Sequence, residues 1–313
     1  MKGLSPKCVD TILSSWRSGT KSCYTKYLNQ WTTYASAKNV DPSSPPDAIA
    51  LAFLQGLYEN GESYGQINTA CSAMSTIIDT PSNISFGKLP LVKRFKKGVY
   101  QSKPTFPRYN FVWDVNKVFN FFRQLPEVAK LSLKLLSLKL AMLLMLLSGG
   151  QRSQTIHCLQ REDIHIIDET TLYIPVMAKI KQTKPGMHMK PLKFKAYVDK
   201  KLCVLAHLTE YISRTEKLVR NEPNLFISYI KPHKAVTKDT IARWCKCTLA
   251  LSGIDISKYS THSSRSAASS KAKEKGIAVN QIIDSAGWSN EQTFAKFYER
   301  PIESDNILNE MIN

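Results

Sequence analysis

A few residues are of types that suit chemistry on a phosphodiester. Arg152 follows a long apolar stretch and the turn Ser148-Gly149-Gly150-Gln151, and His262-Ser263-Ser264-Arg265 opens a run of small residues. Gly287-Trp288 comes next, and Tyr298 stands ten residues beyond that tryptophan. A phosphodiester repels nucleophiles, and its pentacoordinate transition state concentrates negative charge on the non-bridging oxygens. Two guanidiniums, permanently charged and matched to phosphate oxygens, stabilise that state more than the ground state, which is a role for Arg152 and Arg265. A tyrosine phenol, with a pKa near ~10, attacks well only if a base takes its proton or cations favour the phenolate, and His262 is the candidate acceptor. Taken singly, each residue has a structural explanation as helix cap or core aromatic. The functional signal lies in their joint occurrence.

The polypeptide around them is strongly basic. Across 313 residues, 43 Lys and Arg face 25 Asp and Glu, a net charge of +18 that attracts polyanions, with nucleic acid the first candidate partner. The length allows two ordinary domains. Seven cysteines are scattered without C-x-x-C spacing, and Cys245 and Cys247 face different directions on an expected helix, so they read as reduced intracellular thiols rather than a zinc site. No secretory signal is expected. Leu140–Leu147, the most apolar run, is too short for a membrane span and reads as a buried helix. No H-E-x-x-H, paired acidic motif or Walker loop is present, so the expected chemistry uses no metal, cofactor or small-molecule substrate. Of the other histidines, His157 and His165 flank a helix-to-strand transition, and His188, His207 and His233 have no partner spacing.

The first third reads as short amphipathic helices. One carries Tyr24, Tyr27, Leu28, Trp31 and Tyr34 after Thr20 as a candidate cap; a second follows Pro45-Pro46 with Ile49, Phe53, Leu54 and Leu57; a third holds Ile67, Ala70, Cys71, Met74 and Ile77. The fourth sets Leu91, Phe95 and Val99 against Lys93, Arg94, Lys96 and Lys97, a cationic face suited either to solvent or to phosphate contact. Pro104 and Pro107 mark an extended linker, which divides the chain into 1–103, a linker 104–110, and 111–313.

Beyond the linker, helices are expected over Trp113–Phe122 and Ala129–Leu147. Two strand-like segments, Thr171–Val176 and Met189–Phe194, flank Lys184-Pro185-Gly186 as a lysine-rich hairpin. Helices then return over Tyr197–Arg214, Thr237–Ser252, Ser263–Lys275, Asn280–Ala286 and Glu291–Glu299. The expected fold class is mainly α, with an α+β second domain bearing a small antiparallel sheet.

The arginine after a Gly turn, the H-x-x-R at 262–265, Gly287-Trp288 and Tyr298 together resemble the signature of the tyrosine recombinases, also called phage-type integrases. The resemblance implies a helical core-binding domain and a catalytic domain that close as a clamp on duplex DNA. It also implies cleavage through a 3′-phosphotyrosine on Tyr298, with Arg152, His262 and Arg265 in the roles above and Trp288 beside the phosphate, donating its indole N–H. The family's general acid is a lysine on a hairpin pressed into the DNA. Lys181, which precedes Thr183-Lys184-Pro185-Gly186, matches it, with Lys184 and Lys179 as alternatives. Lys93, Arg94, Lys96, Lys97, Lys184 and Arg243 are the expected DNA contacts. Gln151-Arg152-Ser153-Gln154-Thr155, Lys231-Pro232-His233-Lys234, Thr240-Ile241-Ala242-Arg243-Trp244 and Phe297-Tyr298 are similar to the eukaryotic mobile-element branch, the Cryptons and DIRS-type elements. That branch implies transposon integration or excision in the nucleus. A type IB topoisomerase-like activity and a domesticated, catalytically silent DNA-binding protein remain alternatives.

Two departures stand out. Thr155 occupies a position, three after the first arginine, where many bacterial members have an acidic residue. The step from Trp288 to Tyr298 is also one residue longer than in bacterial relatives. After Tyr298 the charge turns acidic at Glu299, Glu303, Asp305 and Glu310, while Ile302, Leu308, Met311 and Ile312 supply an apolar face. This tail packs either on its own domain or, as the resemblance implies, on a neighbouring protomer of a tetramer.

Overall fold

Helix periodicity in the first third produces a small helical unit. A computed structural model describes residues 4–80, 84–219 and 222–303, and the chain divides into two compact units between Pro107 and Arg108. The first contains α1 (Pro6–Leu13), α2 (Ser18–Ala37), α3 (Asp47–Glu59), α4 (Tyr64–Met74) and α5 (Pro90–Ser102). Helix α4 starts at a capping box, in which Ser63 and Gln66 each accept from the other's backbone N–H; removing such a cap costs about 1 kcal/mol. Trp31, fully buried, anchors the core beside Phe53 and spends its indole N–H on the Pro42 carbonyl at 3.0 Å.

Local differences from expectation have local causes. Helix α2 begins at Ser18 rather than after Thr20, and Pro6, in its first turn, starts the additional helix α1 behind the Ser5 cap. In α5, which opens at Pro90, the buried residues are Val92 and Val99, while Leu91 is exposed, because packing against the rest of the unit decides which face of the helix turns inward.

The second unit is built on α7 (Leu133–Leu147), after α6 (Val115–Gln124); every residue of α7 from Leu136 to Leu146 is buried. At about 1.5–3 kcal/mol for each large aliphatic side chain, this helix is the unit's main source of hydrophobic stabilisation. One cation lies within it. Lys139 is buried and donates to the Phe122 carbonyl in the last turn of α6 at 3.1 Å; burial, helped by Lys201, pushes its pKa down to about 8. Asp114 caps α6 by accepting from Asn116 N, so that helix starts at Val115 and not at Trp113.

After α8 (Ser153–His157) come β1 (His165–Ile167), β2 (Thr171–Ile174) and β3 (Leu192–Lys195), an antiparallel sheet in the order β1-β2-β3. Leu172 sits opposite both Ile166 and Phe194. The expected hairpin is therefore two short strands joined by a long connection over residues 175–191, with an additional edge strand β1. Pro175 and Pro191, which cannot donate to a ladder, stand next to the strand ends.

The remaining helices are α9 (Val204–Thr215), α10 (Lys238–Leu251), α11 (Ser263–Glu274), α12 (Val279–Ala286) and α13 (Glu291–Phe297). Helix α9 starts well after Tyr197, because Asp199 instead organises a turn, accepting at its carboxylate from Lys201 N and at its carbonyl from Leu202 N. The fold is mainly α with one small antiparallel sheet. Among the described residues no helix is long and apolar enough to cross a membrane, and no cluster of His, Cys, Asp or Glu could hold a metal ion.

The second unit already includes residues before position 111. Arg108 donates to the Ser257 carbonyl, Tyr109 packs on Tyr259, and Val112 forms a parallel bridge with Ile302. The start of the acidic tail, residues 300–303, thus packs on its own unit: Glu303 pairs with Lys258 at 2.7 Å. Leu308, Met311, Ile312, Asp305 and Glu310 lie outside the described residues.

Candidate active site

Two glycines allow three helices to meet. The α7–α8 turn places Gly149 at φ +75° and Gly150 at φ +75°, left-handed backbone that other residues rarely adopt. A Cβ on Gly150 would lie 2.8 Å from the Arg265 Cα, and one on Gly149 would lie 2.7 Å from the Ser285 Cβ. The turn is therefore pressed against α11 and α12. Gln151 locks it there, donating to the Ser285 carbonyl at 2.6 Å and accepting from Thr155 Oγ1 at 3.3 Å. Thr155 thus supports the arginine's turn through a neutral hydrogen bond.

Residues distant in sequence converge on this frame. Arg152, the N-cap residue of α8, donates from Nη2 to the Tyr298 Oη at 3.2 Å, across 146 positions of chain. Arg265 is 1% exposed; it donates to the Gly150 carbonyl at 2.8 Å and to the Ala286 carbonyl at 2.6 Å. Its guanidinium lies 4.6 Å from the Trp288 ring and 5.3 Å from the Tyr298 ring. Trp288 and Tyr298 stack at 4.5 Å with planes 20° apart. Among the described residues, the buried Arg265 Nε and Trp288 Nε1 have no hydrogen-bond partner.

The step from Trp288 to Tyr298 has a structural account. Gly287, left-handed at φ +67°, ends α12, and Asn290 caps α13 by accepting from Thr293 N at 2.9 Å. Tyr298 sits at the C-terminal end of α13, where its ring returns onto Trp288.

The electrostatics favour an anionic guest. Burial pulls the Arg265 pKa down to about 10, and the neighbouring Arg152 charge pushes the same way, so Arg265 stays cationic at neutral pH. His262, exposed at the start of α11, lies edge-on to Tyr298 at 6.3 Å. Its pKa is lowered by partial loss of hydration and by the charges of Arg152, Arg265 and Lys181. It is therefore neutral at pH 7 and able to accept a proton. Lys181 is exposed on the 175–191 connection, and its charge reaches His262; no carboxylate is among the groups that shift His262 or Arg265. Among the described residues, a cluster of cations without a carboxylate acting on His262 or Arg265 is an environment that favours an anion.

The family comparison agrees with this geometry. Residues 120–303 match the model of the phage integrase family, a span that holds every residue of the cluster and more than half of the chain. The chain belongs to the phage integrase family. No curated protein matches it. Among solved structures, the XerH site-specific recombinase bound to difH substrate in a pre-cleavage complex is similar at TM-score 0.60 and 14% identity, over 93% of this chain and 78% of that one. The λ integrase dimer bound to a COC′ core site has TM-score 0.55 and 16% identity, over 96% and 78% of the two chains. The Tn1549 transposon integrase in complex with transposon right-end DNA has TM-score 0.55 and 14% identity, over 80% of each. The fold shared with these structures is that of the tyrosine recombinases.

In this integrase-family chain the expected DNA contacts fall in separate places. Lys93, Arg94 and Lys97 are exposed on α5. Lys96 is not a free surface cation: half-buried, it donates to Asn68 Oδ1 at 3.2 Å and to the Gly87 carbonyl at 3.3 Å, tying α5 to α4. Lys184 is exposed where the connection turns back on itself, paired backbone to backbone with Met187. Arg243 is exposed on α10, with Thr240 Oγ1 at 3.4 Å. Lys179 is exposed on the same connection as Lys181.

Sequence spacing missed three contributors. Trp113 donates its indole N–H to Ser263 Oγ at 2.9 Å and so holds the start of α11, Gln151 locks the glycine turn, and Ser270 touches the backbone of Tyr298. Each acts through a contact between residues far apart in the chain, for which a linear motif carries no signal.

Proposed function

We propose that this protein is a site-specific DNA recombinase of the eukaryotic mobile-element branch, acting in transposon integration or excision. The observation that carries the reading is the Arg152 to Tyr298 Oη hydrogen bond, formed inside a cluster that also contains Arg265, His262 and Lys181. In the proposed reaction the Tyr298 oxygen attacks the scissile phosphorus and its proton passes to His262. The bond from phosphorus to the 5′ oxygen breaks, Lys181 protonates that oxygen, and a 3′-phosphotyrosine forms. Arg152 and Arg265 hold the non-bridging oxygens, while Trp288 packs beside them with its N–H. Reversal by a 5′-hydroxyl from another duplex completes strand exchange without a metal or an external energy source.

A tetramer on DNA, in the nucleus, fits this role. A groove between α6, α7, α11 and α12, lined by Val115, Phe119, Leu146 and Ile282 with Lys275, supports docking of an acidic and apolar tail from a neighbouring protomer.

The test is a nicked suicide substrate bearing the element's own terminal DNA, followed by denaturing electrophoresis. Wild type is expected to form a covalent adduct that Tyr298→Phe lacks. An equal adduct in Tyr298→Phe refutes the mechanism. Binding without an adduct identifies a silent DNA-binding member, and relaxation of supercoils without recombination a topoisomerase-like one.

A further inference from the structure

Helix α11 reaches the nucleophile by a second route. Its first turn supplies Arg265, and His262 stands at its N-cap. Eight residues beyond His262, about 12 Å along the helix, Ser270 is buried at 6% exposure. Its hydroxyl donates to the Tyr298 carbonyl at 3.1 Å and accepts from the Arg300 N–H at 3.1 Å. Both groups lie at or just beyond the end of α13, where backbone donors and acceptors lose their helical partners. One hydroxyl thus satisfies a carbonyl and an amide on either side of Glu299 and ties the main chain of Tyr298 to α11.

We infer that Ser270 is a positioning residue for the nucleophile, holding the Tyr298 backbone so that its phenol stays in line with the cations of α8 and α11. The inference rests on Tyr298 being the nucleophile. Tyr298 lies at the end of a short helix, with φ −127° and ψ −23°, and its ring is held by the stack on Trp288 and by the Arg152 contact. Neither contact fixes the backbone from which the ring projects. The Tyr298 N–H is held within α13 by the Phe294 carbonyl at 2.8 Å, and Ser270 ties the Tyr298 carbonyl to the same helix that carries Arg265. A displacement of about 1 Å at a reacting atom costs roughly 100-fold in rate, so a hydroxyl that touches no DNA has leverage over cleavage.

The experiment compares Ser270→Ala and Ser270→Thr with a control, Ser269→Ala, whose hydroxyl donates to the Arg265 carbonyl of its own helix. Single-turnover cleavage at saturating DNA and DNA affinity are measured separately. A third readout is the 19F resonance of Trp288 in 5-fluorotryptophan-labelled protein, assigned with Trp288→Phe. Ser270→Ala is expected to slow cleavage roughly 10- to 100-fold with unchanged DNA affinity, and to move the Trp288 resonance in the direction that Tyr298→Ala moves it. Ser270→Thr, which keeps the hydroxyl, should restore most of the rate, and Ser269→Ala should behave as wild type. Cleavage by Ser270→Ala close to the wild-type rate overturns the inference, as does an unmoved Trp288 resonance. An equal loss of affinity and cleavage also overturns it, since that marks a purely structural role. If Ser270→Ala does not fold, Ser270→Cys, which is isosteric and a weaker donor, is read by the same criteria. Should wild type itself form no adduct, the nucleophile reading fails, while the Trp288 resonance still reports whether Ser270 holds Tyr298.

Discussion

Replacing Arg265 with lysine keeps the charge and removes the geometry, so it tests whether this side chain is both strut and clamp. The guanidinium bonds two backbone carbonyls at once, Gly150 at 2.8 Å and Ala286 at 2.6 Å, from a site that is 1% exposed. An ammonium group reaches only one of them, and leaving the other buried carbonyl without a donor costs about 1–3 kcal/mol. The contact with the Trp288 ring at 4.6 Å is also weakened, for about 0.5–2 kcal/mol more. Arg265→Lys is therefore expected to destabilise the protein by about 1.5–5 kcal/mol, read by urea denaturation followed by circular dichroism. The second loss is catalytic. Removing one preorganised donor from a transition-state oxyanion costs about 100- to 1,000-fold, read as single-turnover adduct formation on the suicide substrate under conditions where the variant is folded. Stability within about 0.5 kcal/mol of wild type, the range of ordinary surface substitutions, together with near-normal cleavage would refute the double role.

Three other outcomes follow from the same contacts. Gly150→Ala should disrupt the site, since its Cβ would lie 2.8 Å from Arg265 Cα, whereas Gly186→Ala, equally left-handed but with nothing within 4 Å, should cost only the conformational penalty of about 1–2 kcal/mol; thermal melts and adduct yields of the two variants decide. His262 must be neutral to act as base, and its lowered pKa places the acidic limb of cleavage below about 6.5. Removing a nearby cation relieves the repulsion, so Lys181→Ala should shift that limb to higher pH on a 5′-bridging phosphorothiolate substrate, whose sulfur leaves without protonation; a limb that does not move rules out the charge coupling between Lys181 and His262. His207 is buried, and burial lowers its pKa to about 4. The unfolded chain takes up that proton first, so stability is full above about 6.5 and falls toward pH 4 by up to about 3 kcal/mol, a slope that His207→Asn should flatten in urea titrations.

Much of the second unit was legible because its signals are local. The apolar run ending at Leu147, the helix opened by Thr237 and the small-residue helix opened by His262 each declare an element from a few neighbouring positions, whereas the Ser132 cap, which starts α7 at Leu133 and not at Ala129, was not read. The motif residues were legible as a set through the family resemblance, and the structure brings Arg152, Arg265, Trp288 and Tyr298 together. Less visible was anything set by the competition between elements. Leu91 and Val92 are equally apolar, and only the rotation of α5 decides which one is buried. Lys96 reads as part of a cationic face until Asn68 and the Gly87 carbonyl are seen to claim its ammonium group.

From sequence alone came the inventory: a basic chain, two arginines, a histidine and a tyrosine suited to phosphoryl transfer, and the helices that bear them. Tertiary structure decided their distances. The Tyr298 oxygen meets Arg152 across 146 positions because Gly149 and Gly150 let the α7–α8 turn close on α11 and α12, and because Ser270 holds the end of α13. Residue identity follows from chemistry that each position expresses by itself. Reach between positions depends on packing and on shared hydrogen bonds, which exist only once the helices are in contact.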